Sequence, residues 1–376
     1  MKKLVAAILA WAALTAVAQA VTPPPVAARA FILVDALSGQ TLAAEGADDR
    51  FEPASLAKLM TAYVVFAALR DRQLDESQAA PVSAKAAKQA GSRMFLEAGK
   101  AVTVRELLHG LIVQSGNDAA VALAEAAGGS EEGFVALMNR QAERLGLANT
   151  RFVNASGAPA PEQHSTARDL ATLSLALVRD FPERYPLFAE KEYTYNHVTQ
   201  NNRNRLLWTD PTVDGLKTGF TEAAGYCLVA SARRGERRLV SVVLGARSET
   251  LRTTETQKLL NFGYQAYETR RVYAKGAPVA EAEIYKGTRD RVPLGFEHDV
   301  WLTLPRDHFT GIRGVLVTRK PFVAPLAAGE KAGIMKLMRD NAPLAEFPVV
   351  ALEDVPVAGF LSRGWDTLRL LLQSSK

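Results

Sequence analysis

The feature that most constrains this chain is the order of its strand and helix signals. Strand-like apolar runs occur in "ARAFILVDALSGQTLAAEG" near the start and again in "YCLVASARR" and "RRLVSVVLGAR" after residue 225. Between them lie "SAKAAKQAG", "VRELLHGLIVQ", "DAAVALAEAAG", "EEGFVALMNRQAERLG" and "ARDLATLSLALVRDF", with apolar residues at helical spacing. Ser38-Gly39 and Gly235-Glu236 supply the turns, so each pair of strands reads as antiparallel. A helix over 55 to about 70 follows the first strands, and "TTETQKLLNFGYQAYET" closes the region. This order predicts an α+β domain over 21–267: one antiparallel sheet built from both ends of the segment, flanked by helices, with a helical subdomain inserted.

After about Tyr267 the texture changes to short β-rich runs separated by Gly, Pro and charged turns, which predicts a small all-β domain over 268–357. A chain of 376 residues is long enough for two such cores. Residues 1–20, "MKKLVAAILAWAALTAVAQA", read as a secretory signal: Lys2 and Lys3, an apolar run, then Ala18-Gln19-Ala20 as a cleavage site. Residues 358–376, "AGFLSRGWDTLRLLLQSSK", are too short and too charged to span a bilayer. Phe360, Leu361, Trp365, Leu368, Leu371 and Leu372 share one helical face. This fits a helix lying in a membrane interface, or a final helix docked on the protein's own core.

Charge and cysteine content exclude several functions. The formal charge is +5, too mild to argue for nucleic acid. Cys227 is the only cysteine, so no internal disulfide can form, and it reads as a packed strand residue. His109, His164, His197, His298 and His308 are scattered without ligand spacing, so no metal and no cofactor are expected; His109 and His164 read as structural.

Three short motifs carry chemistry. In "PASLAKLM", Ser55 precedes Lys58 by one helical turn, which places both on one face. Ser55 could simply cap the helix. However, "LMTAYVVFAAL" is apolar almost all round, so the helix is buried and Lys58 is desolvated, which lowers its pKa and makes it a base. In "VQSGNDAA", Ser115-Gly116-Asn117 is a turn between helices, with Asn117 or Asp118 as a cap, or else a proton relay at Ser115 with Asn117 donating to a substrate amide. In "VDGLKTGFTEAAGY", Lys217-Thr218-Gly219 is an edge strand with one exposed lysine, or else an anion-binding edge where Gly219 lets a substrate backbone approach.

In this order the three triplets resemble the S-x-x-K, S-D-N and K-T-G signature of penicillin-binding proteins and serine β-lactamases, with Ser-Gly-Asn in the middle position. "PASLAKLMTAY", "LIVQSGNDAAVALAE", "NRNRLLW" and "VDGLKTGFTEAAGYCLVASA" are similar to the low-molecular-mass D-alanyl-D-alanine carboxypeptidases. The resemblance implies a β-lactamase/transpeptidase-like fold, a β-rich second domain and a membrane-anchoring tail. It implies Ser55 as nucleophile, Lys58 as base, and Ser115 and Lys217 as the proton path. Asn117 would hold the substrate, Thr218 its carboxylate, and Gly219 the close approach of its backbone. The backbone N–H groups of Ser55 and Phe220 would form the oxyanion hole. Arg203 and Arg252 match arginines near the site. Many relatives have histidine where this chain has Phe220. The implied partners are peptidoglycan stem peptides, β-lactams as inhibitors, and the cytoplasmic-membrane surface, with the protein exported to the periplasmic face of the inner membrane. A D,D-endopeptidase, a weak β-lactamase and a catalytically silent wall-binding scaffold are the alternatives. Against the lactamase, Glu162 in "APEQHS" is the nearest carboxylate, and its context does not match a deacylating loop.

Overall fold

The structure is a computed structural model that describes residues 21–318, 321–359 and Asp366. The expected signal segment 1–20 lies outside the described residues, as does the expected tail helix apart from Ala358, Gly359 and Asp366. The chain divides into two compact units, with the division between Tyr267 and Glu268.

The first unit is built on a five-stranded antiparallel sheet. Strands β1 (Ala30–Asp35) and β2 (Thr41–Glu45) come from the front of the chain. Strands β3 (Val213–Thr221), β4 (Gly225–Arg234) and β5 (Arg237–Ala246) come from the back. The order β2-β1-β5-β4-β3 seats β1 against β5, with Ile32 opposite Val242 and Val34 opposite Val240. Sequence-distant ends therefore close one sheet, as the signal order predicts, and the motif strand β3 lies at an edge.

The longer helices are α1 (Lys58–Arg70), α2 (Val104–Ile112), α3 (Asn117–Gly128), α4 (Glu131–Arg144), α5 (Ala167–Asp180) and α6 (Glu249–Ala266). Every residue of α1 from Lys58 to Leu69 is buried, so this helix is the axis of the core, with Tyr63 and Phe66 edge-on to Phe181. The other starts are set locally. Thr103 and Glu106 form a capping box at α2, and Ser130, Thr166 and Ser248 cap α4, α5 and α6.

Some expectations are corrected. "SAKAAKQAG" gives only one helical turn, Ala84–Ala87, before an irregular loop through residue 100. The Gly91-Ser92 that follows and the pull of Asp118 on the loop backbone (described below) override the helical pattern. A small ribbon, Glu192–Tyr195 with Val198–Asn201, is absent from the sequence reading; Tyr193 and Tyr195 alternate with Glu192 and Thr194, but the run is only four residues long and its partner strand is mostly polar. The closing helix begins four residues before "TTETQ", at Glu249.

The second unit holds a six-stranded sheet in the spatial order Arg313–Thr318, Lys331–Arg339, Ala342–Ala351, Arg291–Gly295, Ala280–Tyr285 and Phe322–Val323. Ile284, Val292, Leu294, Met335 and Val349 lie in its core. This is the all-β domain that the turn-rich texture predicts.

Candidate active site

Ser55 does not cap α1. It sits on a single 3-10 turn, Ala54–Ala57, that leads directly into the helix, and the N-cap of α1 is Ala57 with no side-chain cap. The Ser55 hydroxyl is thereby left for other work. Ala54 takes a positive φ of 47°, which is uncommon for a residue with a β-carbon. Two glycines make room for this turn. Gly157, at φ +80°, lies so close that a β-carbon there would fall 1.8 Å from the Ala54 carbonyl oxygen. A β-carbon on Gly219 would press on Leu56 and Ala54 at 3.2 and 3.3 Å. The glycine of the third motif is thus required first by the Ser55 turn packed beneath β3, rather than only by an approaching substrate.

Lys58 is the centre of the site. It is 1 % exposed, and its Nζ lies 3.1 Å from Ser55 Oγ. It also donates to Asn117 Oδ1 at 2.7 Å and to the Ser156 carbonyl at 2.6 Å. Two carbonyl-type acceptors can only receive N–H groups, so they fix two of the three positions on the amine. The third faces the serine. When the amine is neutral its lone pair lies toward Ser55 Oγ, the arrangement a general base needs. Burial pushes the Lys58 amine down to about 7, with the Arg203 charge adding to the effect and Asp118 opposing it.

Lys217, 3 % exposed, lies on β3, and its Nζ donates to the Thr218 carbonyl at 3.2 Å. Burial holds it well below the ordinary lysine value, and Lys58, Arg203 and Arg252 act in the same direction. An exposed edge lysine is therefore ruled out. Ser115 is 3 % exposed in a left-handed conformation, φ 61°, on the turn before α3.

Neither Asn117 nor Asp118 caps α3; the N-cap is Gly116. Asn117 spends its oxygen on Lys58 and one amide hydrogen on the Ala90 carbonyl at 2.6 Å, which ties the base to the 90–92 loop. Its second amide hydrogen remains for a substrate. Asp118, fully buried, accepts from the backbone N–H groups of Met94 and Leu96 at 3.0 and 3.1 Å.

A pocket of about 510 Å³ opens over these groups, a size suited to a small ligand. Of the residues singled out in the sequence, Ser55, Ser115, Asn117, Arg203, Thr218, Gly219, Phe220 and Arg252 line it. Lys58 and Lys217 lie beneath the lining. Arg252 is 4 % exposed, donates to Glu249 at 3.2 Å and to the Arg203 carbonyl at 3.3 Å, and leaves its Nε without a partner. A buried guanidinium N–H in that state, beside Arg203 and Thr218, suits an incoming carboxylate. Among the described residues no Asp or Glu lines the pocket. Glu162 is exposed and pairs with Arg151 at 3.3 Å instead.

Ser156 and Gly157, and the loop Ala90–Ser92, also line the pocket and were missed in the sequence. Their signals, an ordinary Asn-Ala-Ser-Gly turn and a short helical run, point to no chemistry. Cys227 is fully buried, and burial raises its thiol to about 11, so it is an inert packing residue. His109 bonds Glu190 at 2.7 Å and stacks on Tyr193. His164 pairs in a β-bridge with Arg151.

Comparison with known proteins agrees with this geometry. The family described as D-alanyl-D-alanine carboxypeptidase matches residues 17–248, and the one described as penicillin-binding protein 5, C-terminal domain, matches residues 267–357. The D-alanyl-D-alanine carboxypeptidase DacC of Escherichia coli is 42 % identical over 93 % of this chain and 89 % of its own length. DacA of the same organism is 39 % identical over 93 % and 88 %. The crystal structure of penicillin-binding protein 5 from Haemophilus influenzae superposes with a TM-score of 0.86 at 38 % identity, covering 89 % of this chain and 99 % of that one. Penicillin-binding protein D2 from Listeria monocytogenes, in its ampicillin-bound form, gives 0.59 at 32 % identity over 64 % and 98 %.

Proposed function

This chain belongs to the D-alanyl-D-alanine carboxypeptidase family, and we propose that Ser55 is the residue through which it works. It is a serine peptidase of the penicillin-binding protein type that acts on peptidoglycan and binds β-lactams. Ser55 Oγ attacks the carbonyl carbon of the penultimate D-alanine while its proton passes to Lys58 Nζ. The peptide C–N bond then breaks. The leaving D-alanine amine takes a proton through Ser115 and Lys217, and water hydrolyses the ester. The Ser55 and Phe220 N–H groups hold the oxyanion. Thr218, Arg203 and Arg252 gather the terminal carboxylate, while Asn117 positions both Lys58 and the substrate amide.

One observation carries this assignment: the buried Lys58 amine, with two carbonyl acceptors fixed and its remaining position on Ser55 Oγ. It also supplies the base that the Ser55 hydroxyl needs to act as a nucleophile. Among the described residues the pocket lining holds no carboxylate to activate water, which supports slow release of a penicilloyl ester. The test is release of free D-alanine from a pentapeptide ending in D-Ala-D-Ala, with labelled penicillin in parallel. Wild type should do both and Ser55→Ala neither; rapid penicillin turnover would instead favour a lactamase.

We further propose export and peripheral attachment to the periplasmic face of the inner membrane, from the basic-apolar start at 1–20 and the amphipathic pattern at 358–376. Among the described residues no helix is long and apolar enough to cross a membrane. Truncation before Gly359 should free the protein from membranes in fractionation; unchanged association would refute the anchor.

A further inference from the structure

The loop that follows the pocket lining carries a strained aromatic. Phe95 has φ 66°, a left-handed conformation costly for so bulky a side chain, and it is 50 % exposed. The cause is visible. The Asp118 carboxylate accepts from the N–H groups of Met94 and Leu96, one on each oxygen, so the N–H groups of the residues on either side of Phe95 turn inward. Between them the Phe95 ring is turned out to solvent. The ribbon secures the same loop through Gln200 Nε2, which donates to the Arg93 carbonyl at 2.9 Å. Strain that its surroundings over-determine is a pointer to function.

Arg93, also exposed, places its guanidinium 5.4 Å from the Phe95 ring centroid. Among the described residues it has no carboxylate partner, whereas Arg105 pairs with Glu76 and Arg184 with Glu183. Ala90, Gly91 and Ser92, immediately before Arg93, line the Ser55 pocket. A cation backed by an outward-turned aromatic ring thus follows directly on the stretch Ala90–Ser92 that lines the pocket and that Asn117 ties to α3. The groups assigned to the terminal carboxylate lie on a different wall, around β3.

We propose that Arg93 and Phe95 form a subsite for the part of the acyl peptide that extends away from the scissile bond, and that Arg93 binds a free carboxylate on it. The proposal rests on the carboxypeptidase reading of Ser55. The Phe95 ring orients the guanidinium and offers an apolar face to the aliphatic part of the peptide.

The test uses two synthetic pentapeptides ending in D-Ala-D-Ala, one with a free glutamyl α-carboxylate at the second position and one with that group as an amide, beside labelled penicillin. Wild type should show the higher kcat/KM on the free acid, with the preference shrinking at high salt. Arg93→Ala should lower kcat/KM for the acid peptide about twofold to fivefold, the size of one exposed ion pair, and leave the amide peptide and penicillin acylation unchanged. Arg93→Lys should keep most of the preference, and Phe95→Ala should weaken it. Equal losses on all three substrates would make the loop merely structural and overturn the proposal, as would no change at all. If wild type is acylated by penicillin but releases no D-alanine from either peptide, the carboxypeptidase reading itself fails and takes this subsite with it.

Discussion

Two buried cations in the first unit are treated in opposite ways. Arg238, on strand β5, has both Nη atoms on the Asp214 carboxylate of β3 at 2.7 Å, and further contacts to Ser231 and Tyr185. Lys58, more deeply buried, has no ion pair among the described residues; its partners are two neutral carbonyl oxygens and a hydroxyl. A carboxylate in contact would hold Lys58 protonated, whereas Arg238 keeps its charge in any case and takes Asp214 as its ion-pair partner. Neutral acceptors satisfy its N–H groups and leave burial free to strip the charge. Of these two buried cations, the paired one serves the fold and the unpaired one the chemistry. The second unit is a control: the only buried polar or charged groups among its described residues are Thr303 and Asp366.

The sharpest way to break this contrast is to make the lysine's charge permanent. Lys58→Arg should lower the rate of acylation by labelled penicillin about 10²- to 10⁴-fold, the usual worth of a general base. A variant acylated at the normal rate would remove Lys58 from the mechanism.

The paired cation predicts the reverse pattern. Asp214→Ala strands Arg238 and should cost about 2–4 kcal/mol in denaturant unfolding, while the folded protein still acylates. If stability is unchanged, the Arg238 pair is not structural.

Gly157→Ala joins the two effects, because its added methyl would displace Ala54 and, with it, the Ser55 turn. Its strained φ and the close Ala54 carbonyl predict a loss of about 2–3 kcal/mol, and withdrawal of the Ser156 carbonyl from Lys58 predicts about tenfold slower acylation. Normal values of both would show that the turn has room the close contact denies.

The smallest effect concerns pH. Lys58 is neutral above about 7 and charged below it, so the acylation rate constant should rise as pH climbs through 7 and then level off. Arg203→Gln removes one charge that holds Lys58 down, so the midpoint should move upward. The shift should be modest because Arg203 is exposed and screened by salt. A downward shift would contradict the assigned sign.

Much of this was legible in the sequence because it depends on local pattern. Apolar runs separated by turns marked β1, β2, β4 and β5. An all-round apolar helix announced the burial of α1 and hence the desolvation of Lys58. The three triplets named Ser55, Ser115, Asn117 and Lys217 before any contact was known. The 84–100 stretch was less legible, since its helical spacing yields to the pull of Asp118, a residue that reads as a helix cap until the chain is folded.

What the sequence determined, then, is which residues are present and which segments must be buried, since burial follows from periodicity along one stretch of chain. Only the tertiary structure decided what each buried group meets. Ser156 reaches Lys58 across 98 residues of chain, and Asn117 across 59. Gly219 fits because β3 crosses the Ser55 turn. A lysine becomes a base or a structural cation according to whether its partners are neutral or charged, and those partners arrive from segments that no local pattern connects.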